Sequence, residues 1–282
     1  MTLNRSFQLV DVFHDGPFSG NPLAVVLNAD GLSTEEMQRI TRWLNLSETT
    51  FLLPPTTPEA DYRVRIFTLE REMPFAGHPT LGSCHAWVAL FGNPQNKPEI
   101  IQECGAGLVP IRRADTRFAF AAPPLIRGGE VEESTVQEIA EFLHIDRSNI
   151  IDSQWADNGP GWVVVLLESA EEVLALNPRR DYPTRIDVGV VGPYPKDSPI
   201  AFELRAFFSD HQGGIVEDPV TGSLNASVAE WLLSSGRAAA PFIASQGTRL
   251  SRNGRIFIDQ DQEGTVWVGG KTTTLFTGIC SF

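Results

Sequence analysis

The sequence predicts an α+β fold made of two duplicated domains, and two observations support this prediction. First, residues 62–67 align with residues 202–207, and residues 78–83 align with residues 218–223. Both pairs of segments are 140 residues apart, so the alignment needs no gap. A repeat of this length exceeds the units of roughly 20–50 residues found in solenoid proteins. Second, strand-like segments outnumber helical ones in each half, unlike the regular alternation of a parallel α/β sheet.

In the first half, strand-like segments are interrupted by two predicted helices. One helix is predicted to begin after Ser33, because Ser33 and Glu36 have the spacing of a capping box, and to run to about Leu44. The other is predicted to begin at Pro79, whose missing N–H has no partner at a helix start anyway, and to end at Gly92. The predicted strands are residues 7–13, 23–27, 49–53, 62–68, 100–103, 109–113 and 117–121.

The second half has the same mixed pattern. A helix is predicted from Ser134 to about His144. The main helix is predicted to begin with Asp218 as its N-cap and to stop before Gly236, because aspartate followed by proline is a strong start signal. The predicted strands are residues 150–154, 162–167, 186–191, 201–207, 255–259, 266–270 and 272–279.

Proline and glycine pairs mark the middle of the chain. Pro123-Pro124 is followed shortly by Gly128-Gly129, so we place the domain boundary there. The first domain is predicted to span residues 1–124 and the second residues 125–282. Two domains that face each other about a pseudo-twofold axis would bring the two repeated helix starts into one cleft, a common location for small-molecule sites.

Composition excludes several classes of partner. The chain of 282 residues is 42% hydrophobic, enough for a buried core in each domain. Its formal net charge of −13 argues against nucleic acid and anionic membranes, which require a basic surface. There is no apolar run of roughly 18 residues and no signal-peptide core, so we expect a cytoplasmic protein that binds a small molecule. Three widely spaced cysteines indicate reduced thiols rather than a disulfide framework.

The two predicted helix starts suggest chemistry. A helix N-terminus carries unpaired N–H groups and a partial positive charge, which favour a carboxylate or phosphate ligand. The ungapped alignment places His78 opposite Asp218, a group that titrates near neutrality opposite a carboxylate. The alternative stays open that Asp218 is an ordinary N-cap and that the backbone satisfies His78.

Four segments spread over both halves resemble the signatures of the phenazine-biosynthesis PhzF-like family. They are Gly20-Asn21-Pro22, Asn45-Leu46-Ser47-Glu48-Thr49-Thr50-Phe51, Phe75-Ala76-Gly77-His78-Pro79-Thr80-Leu81-Gly82 and Val216-Glu217-Asp218-Pro219-Val220-Thr221-Gly222-Ser223. The resemblance runs from Phe7 to the C-terminus. It implies the diaminopimelate-epimerase-like fold, in which each of two similar domains wraps a curved, barrel-like sheet around a central helix.

The same resemblance implies the residues of the active site. Glu48 is implied as the general base, with His78 and Asp218 as further catalytic residues. The implied substrate-binding residues are Ser47, Gly77, Gly222 and Ser223. From the residues alone, Glu48 reads as a solvated carboxylate before a strand. A base in a closed cleft needs a pKa raised towards the working pH, by desolvation or by a neighbour that favours its neutral form.

The resemblance also implies a reaction. The best-known activity of the family is the isomerisation of trans-2,3-dihydro-3-hydroxyanthranilate, in which a carboxylate removes a ring proton that is returned elsewhere. No cofactor and no metal are implied, and the chain has no dinucleotide fingerprint, no P-loop and no ligand cluster at metal spacing. The expected partner is a small carboxylate-bearing substrate, and family members are often homodimers.

Four alternatives to this isomerase differ in the residues that they require. Epimerases of the wider superfamily use one cysteine from each half, and this chain has no such pair, since Cys104-Gly105-Ala106-Gly107 reads as a strand–turn–strand segment. A serine hydrolase would need the Gly-x-Ser-x-Gly elbow, which Gly222-Ser223 lacks. An epimerase or racemase of a small amino or hydroxy acid acting through Glu48 and His78 stays open, as does a non-catalytic small-anion-binding protein.

Overall fold

Seventeen strands and five α-helices form the part of the chain that the computed structural model describes, namely residues 4–92, 97–114, 116–210 and 213–281. The first are β1 (Asn4–Val12), β2 (Asn21–Val26), α1 (Thr34–Leu44), β3 (Glu48–Leu53), β4 (Tyr62–Thr68), β5 (Glu72–Met73), α2 (Gly77–Phe91), β6 (Glu99–Cys104), β7 (Gly107–Ala114) and β8 (Arg117–Ala121). There follow β9 (Arg127–Gly129), α3 (Glu133–Leu143), β10 (Asp152–Asp157), β11 (Val163–Leu166), α4 (Ala170–Ala175), β12 (Asp187–Pro193), β13 (Phe202–Ser209), β14 (Ile215–Asp218), α5 (Gly222–Ser234), β15 (Phe242–Gln246), β16 (Gly254–Gln260) and β17 (Val266–Ser281).

Two units divide the chain, and the division differs from the expected one at the C-terminus. The first unit is Met1–Ala121 with Gly269–Phe282, and the second is Ala122–Val268. The expected second domain, residues 125–282, included the last strand. That strand belongs mostly to the first unit because β17 pairs antiparallel with β1 from Asn4 to Val12.

In the first unit, eight strands close into a ring around α2. β1 pairs antiparallel with β2, β2 parallel with β3, β3 antiparallel with β4, and β4 parallel with β6. β6, β7 and β8 continue antiparallel, and β17 joins β8 to β1. Residues 77–84 of α2 are all buried, because the sheet surrounds this half of the helix and leaves it no face towards solvent. This confirms the predicted α+β unit with a barrel-like sheet around a helix.

The second unit repeats this order of pairings. β10 pairs antiparallel with β11, β11 parallel with β12, β12 antiparallel with β13, β13 parallel with β15, and β15 antiparallel with β16. The short strand β14 lies on β13 as β5 lies on β4. α5 packs closely on this sheet, because a side chain at Gly189 of β12 would overlap Leu224 of the helix. The shared order supports an internal duplication.

The alignment of the repeats changes between strand and helix. Phe67 pairs with Glu72, and Phe207 pairs with Glu217, so the β13–β14 hairpin is five residues longer than the β4–β5 hairpin. Beyond the hairpins the offset is therefore 145, since residue 217 minus residue 72 gives 145. Two residues of the longer hairpin, 211 and 212, lie outside the described part of the chain.

This longer hairpin corrects the predicted equivalence of His78 and Asp218. Both α2 and α5 begin with glycine, and residue 222 minus residue 77 again gives 145. The counterpart of His78 in the second unit is therefore Ser223. Asp218 corresponds instead to Met73, because these residues occupy matching rungs of the two hairpins.

The predicted helix ends are partly confirmed. The capping box between Ser33 and Glu36 is present, and Gly92 caps α2. α2 begins at Gly77 rather than at Pro79, which lies within its first turn. The prediction of Asp218 as the N-cap of α5 is wrong, because β14 extends to Asp218 and Thr221 precedes the first turn.

Candidate active site

Glu48 and His78, two of the residues implied as catalytic, lie side by side in the first unit. α1 ends at Leu44, and its C-cap Asn45 has a left-handed conformation (φ 56°) that reverses the chain and leads it into β3. Glu48 is the first residue of β3, and His78 is the second residue of α2. The Oε2 atom of Glu48 is 3.5 Å from the Nε2 atom of His78, and their side chains are 18% and 4% exposed. The fold therefore brings a partly exposed carboxylate to a buried imidazole.

Burial determines the charge of His78. Desolvation lowers the pKa of His78 to about 3, because the protonated ring would lose its hydration inside the barrel. The imidazole is thus neutral at neutral pH, and its contact with Glu48 is not an ion pair. This corrects the expectation that His78 titrates near neutrality.

A third side chain, Asn21, completes this cluster and was not predicted as a site residue. Asn21 is the first residue of β2 and is fully buried. Its Nδ2 atom is 3.4 Å from the Nδ1 atom of His78, on the side of the ring opposite Glu48. The only signal for Asn21 in the sequence was its place in the Gly20-Asn21-Pro22 segment.

The other residues implied in this unit flank the cluster. Gly77 is buried at the first position of α2, directly before His78. Ser47 is exposed and directly precedes Glu48. Their neighbourhood in the chain keeps them near the two catalytic candidates, and their predicted role in substrate binding stays a prediction.

In the second unit, Asp218 lies in a buried hydrogen-bond network before α5. The Oγ1 atom of Thr221 donates to Oδ2 of Asp218 at 2.6 Å. Gln246 of β15 donates through Nε2 to the carbonyl of Asp218 and to Oγ1 of Thr221, at 3.0 and 2.9 Å. Its Oε1 accepts from the backbone N–H of Thr221 and from Nδ2 of Asn225, at 3.0 and 2.8 Å. The carboxylate of Asp218 is thereby fixed in orientation.

Gly222 and Ser223 form the first turn of α5. Gly222 is buried, and Oγ of Ser223 accepts from the indole Nε1–H of Trp162 at 3.1 Å. The carbonyl of Ser223 accepts from Nδ2 of Asn158 at 2.9 Å. All the residues predicted in this half therefore lie within five positions of one another, from Asp218 to Ser223. The predicted location of the active site in a cleft between the domains stays a prediction.

The starts of α2 and α5 differ from the start of α1 in their caps. Ser33 caps α1, and Glu35 and Glu36 lie in its first turn, so its partial positive charge is balanced within the chain. Ala76 and Thr221, the residues before α2 and α5, make no side-chain capping bond, and neither helix has an acidic residue in its first turn. Both starts thus have the electrostatic character that suits an anionic ligand.

Possible metal ligands and the three cysteines are the remaining chemically active side chains. Within the described residues, no group of three or more His, Cys, Asp and Glu side chains is arranged to hold a metal ion. Burial raises the pKa of the thiols of Cys84, Cys104 and Cys280, which favours their protonated, less reactive form. Cys104 ends β6 and Gly107 begins β7, which confirms the strand–turn–strand interpretation of this segment. In the ranges that the structure describes, no helix has the length and apolar character required to cross a lipid bilayer.

Comparison with known proteins assigns the family. The model of the phenazine biosynthesis-like protein family matches residues 10–278. Antisense-enhancing sequence 1 of Schizosaccharomyces pombe is 39% identical, over 97% of this chain and 98% of the relative. The trans-2,3-dihydro-3-hydroxyanthranilate isomerase of Pseudomonas aeruginosa is 34% identical, over 77% of this chain and 76% of the relative.

A solved structure extends the match to the fold. A predicted epimerase from Pseudomonas aeruginosa superposes with a TM-score of 0.80 and 29% identity, over 98% of this chain and 99% of the other. The two units thus form the predicted epimerase-like fold. The chain belongs to the phenazine biosynthesis-like, or PhzF-like, family. Further bacterial relatives are named as isomerases, and the chain is an isomerase of this family.

Proposed function

We propose that this isomerase moves a proton on a small carboxylate-bearing substrate, without a cofactor and with Glu48 as the general base. The observation that carries the proposal is the 3.5 Å contact between the carboxylate of Glu48 and the neutral ring of buried His78. A neutral imidazole carries no positive charge, so it stabilises the ionised form of the neighbouring carboxylate less than an imidazolium would, and the carboxylate can accept a proton more readily. The partial exposure of Glu48 leaves room for a substrate C–H group to approach.

The uncapped start of α2 supports an anionic substrate. Glu48 contacts the side chain of the second residue of this helix, so the proposed base lies at the helix end that carries the partial positive charge. A substrate carboxylate held there would fix the reacting carbon relative to Glu48. Fixed orientation of this kind contributes substantially to the rate of a proton transfer.

The proposed reaction is a proton shift with no net redox change. Glu48 removes a proton from a carbon of a conjugated substrate, and the electron pair of the C–H bond moves into the conjugated system. The protonated Glu48, which can exchange its proton with solvent, then returns a proton to another carbon and is restored as a carboxylate. The substrate of the Pseudomonas isomerase, trans-2,3-dihydro-3-hydroxyanthranilate, has a carboxylate and a conjugated ring of this type. We therefore propose a cyclic, conjugated carboxylic acid as the substrate class.

The test is an ultraviolet and proton-NMR assay with trans-2,3-dihydro-3-hydroxyanthranilate in deuterated buffer. We expect turnover with incorporation of solvent deuterium at carbon. Glu48→Gln keeps the shape of the side chain and removes the base, so we expect kcat/KM to fall by about 10²–10⁴-fold. Glu59→Gln is the matched control, because it makes the same change at an exposed position and leaves the proposed base intact.

Each failure of this assay has a different meaning. If Glu48→Gln turns over at the rate of the unchanged protein, Glu48 is not the base. If the unchanged protein is inert, the same samples are screened with small carboxylic, amino and hydroxy acids for deuterium uptake. Uptake at a stereocentre with all double bonds retained would replace the isomerisation proposed here with epimerisation. Binding without any exchange would indicate an anion-binding protein.

A further inference from the structure

The ring of His78 is held between two polar groups of opposite hydrogen-bonding character. On one side, Nε2 lies 3.5 Å from Oε2 of Glu48, and an ionised carboxylate only accepts. On the other side, Nδ1 lies 3.4 Å from Nδ2 of Asn21, and an amide NH₂ group only donates. Both contacts favour the same state of the ring, with the proton on Nε2 and a bare lone pair on Nδ1.

We infer that Asn21 is a positioning residue that fixes the tautomer of His78 and thereby directs an N–H donor at the carboxylate of Glu48. The inference rests on the function proposed above for Glu48. Without the donor on Nδ1, the neutral ring is free to carry its proton on either nitrogen. A bare Nε2 would then place its lone pair against the carboxylate oxygen. The amide of Asn21 disfavours that arrangement.

The backbone around Asn21 is held firmly enough for such a role. Asn21 is paired with Val12 of β1. The buried carboxylate of Asp11 accepts from the backbone N–H groups of Ser19 and Gly20, at 3.0 and 2.9 Å. A Cβ at Gly20 would overlap the carbonyl oxygen of Val12, so the chain passes too close to β1 for any larger residue. These contacts fix the position of the backbone of Asn21 beside the ring of His78.

Fixing the tautomer has a consequence for the proton shift. The Nε2 atom of His78 and the Oε2 atom of Glu48 are 3.5 Å apart and do not form a hydrogen bond in this structure. An Nε2–H group would orient the carboxylate by closing this distance when the substrate binds. In metal sites, the partner that fixes a histidine tautomer is worth about 10–100-fold in function, and we expect an effect of similar size on kcat here.

The test is nitrogen NMR of protein labelled with ¹⁵N-histidine, with the His78 signals assigned by their loss in His78→Gln. The unchanged protein should show a protonated, pyrrole-type Nε2 and a bare, pyridine-type Nδ1. Because burial lowers the pKa of His78 to about 3, this pattern should persist in mildly acidic buffer. Asn21→Asp replaces the donor with an acceptor of the same shape, so Nδ1 should gain a proton.

The matched control is Asn28→Asp, the same change at an exposed position, which should leave the His78 signals and kcat unchanged. Asn21→Asp should lower kcat by about tenfold or more, in proportion to the change of tautomer. A folded Asn21→Asp variant with the His78 signals of the unchanged protein would overturn the inference. So would an unchanged protein whose Nδ1 carries the proton. The NMR signals of His78 can be measured without turnover. An enzyme that is inert but shows the expected signals would therefore contradict the proposed function and not the role of Asn21.

Discussion

The first turns of α2 and α5 occupy equivalent places in the two units, but their chemistry differs. Each helix begins with glycine, lacks a side-chain cap and has no acid in its first turn. The second residue is His78 in one and Ser223 in the other. His78 contacts Asn21 of β2, whereas Ser223 accepts from Trp162, the residue before β11. The duplication has kept the backbone frame and the uncapped helix starts, and it has varied the groups that face them.

A second shared feature is a buried glutamine on the strand that follows each helix. Gln102 of β6 donates to Oγ1 of Thr80 at 3.1 Å, and Gln246 of β15 accepts from Nδ2 of Asn225 at 2.8 Å. Thr80 and Asn225 both occupy the fourth position of their helix. The glutamine thus ties the first turn to the sheet in both units. In the second unit its bonds also extend to the backbone carbonyl of Asp218 and to the hydroxyl of Thr221, which in turn donates to the carboxylate of Asp218.

The largest contrast in stability is expected at Arg65 and Arg205, equivalent residues of β4 and β13. Arg205 pairs with Glu217 at 2.8 Å, and the two side chains are 5% and 14% exposed. Arg205 also donates to one carbonyl group within α4 and to the carbonyl group of its C-cap. Arg65 pairs with Glu72 at the surface, 24% and 39% exposed. Arg205→Leu should lower the free energy of unfolding by about 3–5 kcal/mol, because it leaves Glu217 buried and unpaired. Arg65→Leu should cost less than about 1 kcal/mol.

Urea denaturation of both variants measures this contrast. The double variant Arg205→Leu with Glu217→Leu serves as the control, because it removes the stranded charge and should recover part of the lost stability. Equal losses for the two single variants would show that the ion pair of the second unit is not specially dependent on burial. The two equivalent ion pairs would then contribute equally to the free energy of unfolding.

Much of the fold could be predicted from local patterns. β4 and β8 have the predicted bounds, because alternating apolar residues between turn signals specify a strand directly. α1 was predicted because its capping box, Ser33 and Glu36, can be recognised within four consecutive residues. β15 was not predicted, because it has only five residues and ends with the polar Ser245 and Gln246. Its sequence lacks the alternation of apolar and polar residues that indicates a strand. This strand depends on its partners β13 and β16.

The candidate site was harder to predict because it depends on long-range geometry. The Asp218-Pro219 pair has the local pattern of a helix start, but pairing with β13 holds Asp218 in a strand. The neutral state of His78 follows from its burial inside a closed ring of strands, which no short segment specifies. Asn21 is 57 positions from His78 in the chain and meets it only in the folded barrel.

A smaller difference is expected between the two buried glutamines. Gln246 makes four hydrogen bonds around the start of α5, including two to Thr221 and one to Asp218. Gln102 accepts from the hydroxyl of Tyr62 and donates to Thr80. Unpaired buried groups cost about 1–3 kcal/mol each, so Gln246→Leu should lower the free energy of unfolding by about 2–4 kcal/mol and Gln102→Leu by about 1–2 kcal/mol. A larger loss for Gln102→Leu in urea denaturation would contradict the special role of the Asp218 network.

The smallest effect concerns the pH dependence that only the first unit should show at this position. His78 has a pKa near 6.5 when unfolded and about 3 when folded, so between these values the unfolded state binds more protons. Its contribution to stability is complete above about pH 6.5 and is lost as the pH falls, by at most about 1.4 kcal/mol per pH unit. The slope of unfolding free energy between about pH 5 and pH 6.5 should therefore be shallower in His78→Gln than in the unchanged protein. Ser223→Ala, the equivalent change in the second unit, should leave the slope as it is, because a serine hydroxyl does not titrate in this range. An unchanged slope in His78→Gln would mean that the ring of His78 has the same pKa in the folded and unfolded states. In that case neither His78 nor Ser223 would contribute to the pH dependence of the free energy of unfolding.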